Sequence, residues 1–138
     1  TDNLPRFDLT EIVAVSAKRQ CNAVFACHED DPQRLKRAGV ARLGREGRIV
    51  HFEEKPDYPR SDLRVPPFYV YRPSAVELVE KYLGAGNDPD APGHFLGWLI
   101  AREDVYSCRK DEGTYDIGTL ESYRTVCEEF DGSALPTD

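Results

Sequence analysis

The feature that most constrains the fold is an alternating run of residues that stops just before a proline. The run reads Gly-Arg-Ile-Val-His-Phe-Glu-Glu, and on a strand Val50, Phe52 and Glu54 would share one face. Pro56 lacks an amide donor and favours an extended conformation at Lys55, so the strand should end here. The pattern therefore predicts a strand whose apolar face ends in a carboxylate. It places Lys55 at a carboxyl end, where open α/β sheets bind ligands.

Further strands and helices are predicted on both sides of this run. Helical spacing of apolar residues predicts helices at 10–19, 73–83, 95–100 and 119–130. Short apolar runs predict strands at 21–28, 40–43, 48–54, 68–71 and 105–109, and the second and third of these should form a hairpin. Strands interleaved with helices predict the α/β class, and the hairpin makes the sheet mixed.

Each predicted helix has an apolar side that we expect to face the core. These positions are Leu9, Ile12, Val13, Ala75, Val76, Leu78, Val79, Tyr82, Leu83, Leu120, Tyr123, Val126, Cys127 and Phe130. A chain of 138 residues with 40% hydrophobic residues can form one core, so we predict one domain over residues 1–130 and a loose tail at 131–138. Because the chain contains no methionine, we expect it to begin inside a longer protein.

The overall composition excludes several functional classes. A net charge of −7 argues against a nucleic-acid surface, which needs an extended basic patch. The four cysteines and three histidines lack zinc-site spacing, so free thiols in a reducing compartment are expected. The sequence shows neither a signal peptide nor an apolar run long enough to span a bilayer. We therefore expect a cytoplasmic protein with no membrane partner.

Four charged residues far apart in the sequence each lie at the end of a predicted element. They are Asp2, Glu54, Lys55 and Asp116. Two carboxylates with open water positions suit Mg²⁺, which prefers few protein ligands together with substrate phosphates. Phosphoryl or nucleotidyl transfer needs mainly positioning and charge neutralisation. The set therefore points to a phosphorylated, polyhydroxylated ligand, although each residue by itself is also compatible with an ordinary solvated position or, for Asp116, with a favourable charge at a helix start.

In order and spacing, several motifs resemble those of the sugar-1-phosphate nucleotidyltransferases. They are Thr1-Asp2-Asn3 in place of Gly-Asp-Asn, Gly39-Val40, Phe52-Glu53-Glu54-Lys55-Pro56, Phe68-Tyr69-Val70-Tyr71 and Asp116-Ile117-Gly118-Thr119. The resemblance covers nearly the whole chain. It implies the second half of a Rossmann-like, three-layer nucleotidyltransferase fold.

The resemblance also implies a role for each matching residue. Asp2 and Asp116 match the aspartates that hold Mg²⁺, and with Lys55, which contacts the sugar phosphate, they form the implied catalytic set. Glu54 matches the residue that binds sugar hydroxyls, Gly39 a glycine whose backbone lies against the sugar, and Val65 and Tyr69 positions that line the sugar pocket. Pro66-Pro67 replaces the family's usual Thr-Gly or Ala-Gly in the pocket wall.

One family motif is absent, namely the glycine-rich Gly-x-Gly-Thr-Arg loop that binds the triphosphate. The resemblance therefore implies the sugar-binding half of an enzyme that joins a nucleoside triphosphate to a hexose 1-phosphate, with an N-terminal half as partner and no activity of this chain alone. The alternatives are a non-catalytic sugar-phosphate-binding or regulatory module and a fragment that binds nothing. The nucleotide base, the hexose and the oligomeric state, including a homo-oligomer, stay open.

Overall fold

The structure is a computed structural model that describes residues 3–111 and 113–130. Its helices are α1 (Thr10–Arg19), α2 (Pro32–Leu35), α3 (Pro73–Gly84), α4 (Pro92–Leu99) and α5 (Leu120–Glu129). Its strands are β1 (Asn3–Pro5), β2 (Asn22–His28), β3 (Gly39–Leu43), β4 (Ile49–Glu54), β5 (Leu63–Val65), β6 (Tyr69–Val70), β7 (Val105–Lys110) and β8 (Thr114–Asp116). Asp2 and the predicted tail at 131–138 lie outside the described residues, so the domain boundary stays a prediction.

The main sheet is built around β2, which is buried along most of its length. β7 runs parallel to β2 along one edge, whereas β5 and β6 pair with it antiparallel. β3 joins β5 to β4, so the path from β4 reaches β2 through β3 and β5. Parallel and antiparallel pairs in one sheet confirm the predicted mixed α/β class. The three-residue strand β5 was not predicted.

The β3–β4 hairpin departs from simple alternation through a β-bulge. Leu43 pairs with Ile49 and Arg42 pairs with His51, so Val50 is an extra residue on β4. Ile49 is buried on the same side as Phe52, while Val50 is 48% exposed. The prediction that Val50 shares the face of Phe52 is therefore wrong, because the bulge shifts the side-chain alternation by one residue.

The two faces of the sheet are covered by different helices, which gives three layers. Val24 and Ala26 of β2 pack in the cluster that includes α3 and α4, whereas Ala23, Phe25 and Cys27 pack in the cluster that includes α1. This division follows directly from the twofold alternation of a strand. The sheet also curls, because Arg48 and Tyr106 form a bridge that brings the start of β4 to β7.

The helices bury narrower faces than their periodicity predicts. Ile12, Ala75, Tyr82 and Val126 are buried as expected. The predicted inward positions Leu9, Val13, Val76, Leu83, Leu120, Tyr123 and Cys127 are instead exposed. Helical spacing identifies an amphipathic side, but another element must lie against that side before it is buried.

β1 and β8 form a separate two-stranded ribbon, in which Asn3 pairs with Asp116. Arg64 of β5 links the ribbon to the main sheet, because its Nη2 donates to Thr114 Oγ1 at 3.2 Å. α5 follows the ribbon directly. Within the described residues, no helix combines the length and apolar character that crossing a membrane requires.

Candidate functional site

Three of the predicted site residues lie in one row across neighbouring strands. Gly39 of β3 pairs with Glu54 of β4 on one side and with Val65 of β5 on the other. They are well separated in sequence, and the sheet register brings them together. The row lies at the carboxyl ends of β4 and β5, the position that the sequence predicted for Glu54.

Glu54 is the chemically distinctive member of this row. Its carboxylate is half-buried, and burial raises its pKa, while the charges of Lys55 and His94 act in the opposite direction. No group within residues 3–111 and 113–130 donates a hydrogen bond to it. A half-buried carboxylate with free acceptor positions can accept hydrogen bonds from ligand hydroxyls.

The N-terminus of α4 closes over the Glu54 side chain. A Cβ placed on Gly93 would lie only 1.7 Å from Glu54 Oε2 and 3.2 Å from Phe52 Cζ. Gly93 therefore has no room for a side chain while Glu54 keeps this position. The helix predicted at 95–100 left Gly93 outside it. The signal that could have found it is Pro92-Gly93 at a helix start, since proline is favoured in the first helical turn.

Gly39 meets a different neighbour from the one predicted. A Cβ on Gly39 would lie 2.5 Å from Phe52 Cζ and 3.2 Å from Glu54 Oε2. The space above Gly39 is therefore occupied by the Phe52 ring and bordered by the Glu54 carboxylate. The missing side chain at Gly39 makes room for these two side chains, and its expected contact with a sugar stays a prediction.

Lys55 follows the row with an unusual backbone. Its φ is +47°, so the prediction of an extended conformation is wrong. Its amide donates to Ala38 O at 3.1 Å, which ties it to the residue before β3. Such a conformation costs a non-glycine residue on the order of 1–3 kcal/mol and is found preferentially at functional sites. The Lys55 side chain is exposed, and no salt bridge joins it to another described residue.

Tyr69 on β6 and Tyr71 just after this strand extend the site. Burial raises the pKa of the Tyr69 hydroxyl strongly, and the nearby charge of Glu54 adds to this effect. Burial likewise raises the pKa of Tyr71, whose ring lies 5.7 Å from that of Tyr69 and 5.5 Å from that of Phe95. Both hydroxyls therefore stay protonated at neutral pH and can donate hydrogen bonds. Sequence reasoning named Tyr69 but missed Tyr71, whose buried hydroxyl has no partner among the described residues.

Asp116 lies on the β1–β8 ribbon, and no hydrogen bond or ion pair within the described residues joins it to the Gly39–Glu54–Val65 row. Its side chain is exposed, and Oδ1 accepts from Gly118 N at 3.2 Å, just before the Thr119 cap of α5. The second oxygen, Oδ2, makes no hydrogen bond to the described residues. One open carboxylate oxygen fits a Mg²⁺ ion that takes its other ligands from substrate and water. No group of three or more metal-ligating side chains occurs within residues 3–111 and 113–130.

A cavity elsewhere on the described part of the chain is lined by none of these residues. It has a volume of about 640 Å³ and lies where β2 and β7 begin, lined by Asn22, Asp104 and Tyr106 among others. The Gly39–Glu54–Val65 row lies near the opposite end of β2.

Comparison with known proteins gives the family. The family model for nucleotidyl transferases matches residues 1–131, which is nearly the whole chain. The chain belongs to the nucleotidyl transferase family. This confirms the resemblance inferred from the Glu54-Lys55-Pro56 and Asp116-Ile117-Gly118 motifs.

Several similar proteins are longer than this chain. The glucose-1-phosphate adenylyltransferase of Thermotoga sp. (strain RQ2) is 30% identical over 129 residues, which is 88% of this chain and 30% of the relative. That of Thermomicrobium roseum is 29% identical, with 88% and 29% covered. A solved UDP-glucose pyrophosphorylase in complex with UDP-glucose superposes with a TM-score of 0.75 at 24% identity, with 94% and 53% covered. The chain thus spans about a third of the length of these curated relatives and about half of the solved structure. The superposition supports the nucleotidyltransferase fold.

Proposed function

We propose that this chain is the sugar-phosphate-binding segment of an enzyme that condenses a nucleoside triphosphate with a hexose 1-phosphate. In this reaction a phosphate oxygen of the sugar 1-phosphate attacks the α-phosphorus of the triphosphate. The bond from that phosphorus to the β-phosphate bridging oxygen breaks, and pyrophosphate leaves. The products are a nucleoside diphosphate sugar and pyrophosphate.

The observation that carries this proposal is the Glu54 carboxylate. It is half-buried, receives no hydrogen bond from the described residues, and lies in register with Gly39 and Val65. A buried polar group without a partner is costly, so it is usually satisfied by a ligand or by water. Sugar hydroxyls supply such donors. The likeness to relatives called glucose-1-phosphate adenylyltransferases supports the same class of ligand.

The other site residues have complementary roles in the proposal. Lys55 supplies a cation for the sugar phosphate, next to the carboxylate that holds the hydroxyls. Tyr69 and Val65 form the walls of the sugar pocket, and the Tyr69 hydroxyl donates a hydrogen bond there. Reaction then depends on holding the attacking oxygen in line with the α-phosphorus.

In the proposal, Asp116 is a Mg²⁺ ligand together with Asp2. A bound Mg²⁺ would neutralise charge on the phosphates during transfer. Asp116 has one carboxylate oxygen without a described partner and an exposed position at the end of β8, and both features fit this role. The Gly118 amide donates to the other oxygen and fixes the orientation of the carboxylate.

The proposal includes an N-terminal partner half that binds the triphosphate. It is supported by the absence of a Gly-x-Gly-Thr-Arg loop from the sequence and by the half-length match to the solved structure. Without that half, we expect this chain to bind sugar phosphate but not to turn it over. Buried free thiols at Cys21, Cys27 and Cys108 fit a reducing compartment, and we propose the cytoplasm.

Asp116→Ala in the parent enzyme tests the catalytic assignment. We expect turnover, measured as pyrophosphate release, to fall by roughly 100-fold or more, because an electrostatic anchor of the phosphates is lost. Melting temperature should change little, since the side chain is exposed. Asp111→Ala, an exposed aspartate before the ribbon, is the matched control. Unchanged turnover in Asp116→Ala would contradict the role of Asp116.

Titration of the 138-residue chain with glucose 1-phosphate separates the proposal from the fragment that binds nothing. We expect calorimetry to detect binding of glucose 1-phosphate. Lys55→Gln should weaken this binding about tenfold or more, because a charge-assisted contact is removed. The chain could bind glucose 1-phosphate and yet release no pyrophosphate after an N-terminal half is supplied. That result would favour the non-catalytic module. The absence of any binding would contradict both the proposed enzyme segment and the non-catalytic module, and would favour the fragment that binds nothing.

A further inference from the structure

The 640 Å³ cavity at the start of β2 and β7 has an unusual charge for this molecule. Its lining contains four arginines, Arg19, Arg48, Arg72 and Arg102. Two carboxylates, Glu103 and Asp104, also line it, so the guanidinium groups exceed the carboxylates by two charges. The whole chain carries a net charge of −7. We call the four arginines and the space between them the arginine cavity.

Each arginine is oriented by a bond that uses only one of its nitrogens. Arg72 Nη1 donates to Gln20 O, Arg102 Nη1 donates to Trp98 O at 2.8 Å, and Arg19 Nη1 donates to Glu46 Oε2 at 3.2 Å. Arg48 Nε lies 2.7 Å from Asp104 Oδ1. In all four residues Nη2 donates no hydrogen bond within the described part of the chain. The guanidinium groups are thus held in place with donors left over.

Aromatic rings hold two of these guanidinium groups further. Arg102 lies 3.5 Å from the centre of the Trp98 ring, and Arg19 lies 4.6 Å from that of Tyr106. Arg72 and Arg102 donate to backbone carbonyls at the ends of α1 and α4. This capping uses one nitrogen of each guanidinium group. A structural capping role therefore does not use the remaining donors.

Each carboxylate that lines the cavity has one oxygen with a partner among the described residues. Glu103 Oε2 accepts from Asn22 Nδ2 at 2.7 Å and from Ser74 Oγ at 3.3 Å. Asp104 is paired with Arg48. Glu103 bonds only neutral donors, and Glu46 outside the lining pairs with Arg19, so the four guanidinium groups exceed these three carboxylates by one charge. The volume lies in the range of small-molecule sites.

We propose that the arginine cavity binds a small molecule that carries a phosphate or diphosphate group. Arginine presents a planar fork of donors that matches phosphate oxygens, and several preoriented forks favour a dianion or a larger polyanion. The cavity is separate from the proposed sugar-phosphate site. Arg48 lies just before β4 and Glu54 is its last residue, which along an extended strand corresponds to a separation of up to about 20 Å. The proposal does not depend on transferase activity.

The test is calorimetric titration of the 138-residue chain with inorganic pyrophosphate at low ionic strength, with phosphate and sulfate as further probes. We expect the double variant Arg48→Gln/Arg102→Gln to weaken pyrophosphate binding about tenfold or more, because two charge-assisted contacts are lost. The matched control is Arg124→Gln on α5, which should change pyrophosphate binding less than about twofold. We expect pyrophosphate to bind more tightly than phosphate or sulfate.

In these titrations, four outcomes would overturn the proposal. They are no binding of pyrophosphate at millimolar concentration, equal weakening by Arg124→Gln, loss of binding in Lys55→Gln alone, and sulfate binding as tight as pyrophosphate. If circular dichroism shows that the double variant does not fold, the single variant Arg48→Lys replaces it. Arg48→Lys keeps the charge but removes the fork, so it should still weaken binding measurably. Unchanged binding in a folded Arg48→Lys and Arg48→Gln pair would likewise overturn the assignment.

Discussion

At the scale of single residues, Glu54 carries a stability cost that its proposed role explains. Burial raises its pKa above the ordinary value near 4.5, because the low-dielectric surroundings disfavour the ionised form. A carboxyl group whose folded-state pKa is raised favours the folded state at low pH. That contribution is lost as pH rises from about 4.5 through the raised pKa. At neutral pH Glu54 is therefore less favourable for folding than a neutral side chain of the same shape.

Glu54→Gln should accordingly stabilise the chain at neutral pH while weakening glucose 1-phosphate binding. The stability gain, measured by urea unfolding, should shrink as pH falls toward 4, because Glu54 then becomes protonated in the wild type. The glutamine keeps one acceptor but loses the charge, so binding should weaken roughly tenfold. Glu53→Gln, its neighbour paired with His51 at 3.3 Å, is the control and should not show this combination. A destabilised Glu54→Gln would contradict the burial argument.

At the scale of elements, α4 and β4 approach closely because glycines face the Phe52 ring. Gly93 has no space for a Cβ, whereas a Cβ on Gly97 would make an ordinary contact of 3.5 Å with Phe52 Cδ1. The same helix thus has one glycine position that can accept a Cβ and one that cannot while Glu54 keeps its position. The closer one determines where the Glu54 carboxylate lies.

Gly93→Ala should therefore displace Glu54 or tilt the N-terminus of α4. Because the clash is with the end of a flexible, half-buried side chain, we expect weaker glucose 1-phosphate binding and a loss of no more than about 1 kcal/mol in the free energy of unfolding. Gly97→Ala on the same helix is the matched control. It should be neutral or gain up to about 1 kcal/mol, because alanine has the higher helix propensity. Equal effects of the two substitutions would show that Glu54 is not confined by Gly93.

The start of α5 depends on a capping box that holds the helix to the ribbon bearing Asp116. Thr119 Oγ1 accepts from Ser122 N at 3.0 Å, and Ser122 Oγ accepts from Thr119 N at 3.1 Å. Thr119→Ala should lower the free energy of unfolding by about 1 kcal/mol. Thr125→Ala, inside the same helix, should not, because its hydroxyl bonds only the preceding turn. Urea unfolding of both variants checks the difference; similar losses would contradict the capping role.

At the scale of the whole molecule, α5 presents an apolar stripe without a covering element in the described part of the chain. Leu120 is 66% exposed and Tyr123 is 54% exposed, and Cys127 follows at helical spacing. Contiguous apolar surface of this kind is typical of an interface. The stripe lies on the helix that directly follows the ribbon with Asp116.

The isolated chain should therefore self-associate through this stripe as its concentration rises. Sedimentation velocity should show that Leu120→Ser/Tyr123→Ser weakens self-association by roughly tenfold or more, since each side chain removes about 1.5–3 kcal/mol of burial. Val76→Ser, which is 57% exposed on α3, is the control and should have little effect. Adding the N-terminal half should suppress self-association of the wild type. An entirely monomeric wild type would contradict the interface.

The parts of the fold and site that were predictable from sequence depend on local chemistry. Short apolar runs predicted the β3–β4 hairpin, and helical spacing predicted a helix from residue 119, close to the start of α5. β5 was missed, because three residues before Pro66 carry too little periodicity. Lys55 was predicted to be extended, but its hydrogen bond to Ala38 O accompanies a positive φ. The bond reaches a residue 17 positions earlier in the sequence, which local preferences do not reveal.

By itself the sequence determined the class, the order of the main elements and the family, because periodicity, capping and motif spacing are properties of the chain. Only the tertiary structure decided that Gly39, Glu54 and Val65 share a row, since register depends on pairing between distant strands. It alone showed the fit of Gly93 against Glu54 and the four arginines around one cavity. The physical reason is that side-chain burial and charge balance are set by which elements meet. Those meetings are long-range and are not encoded in any single segment.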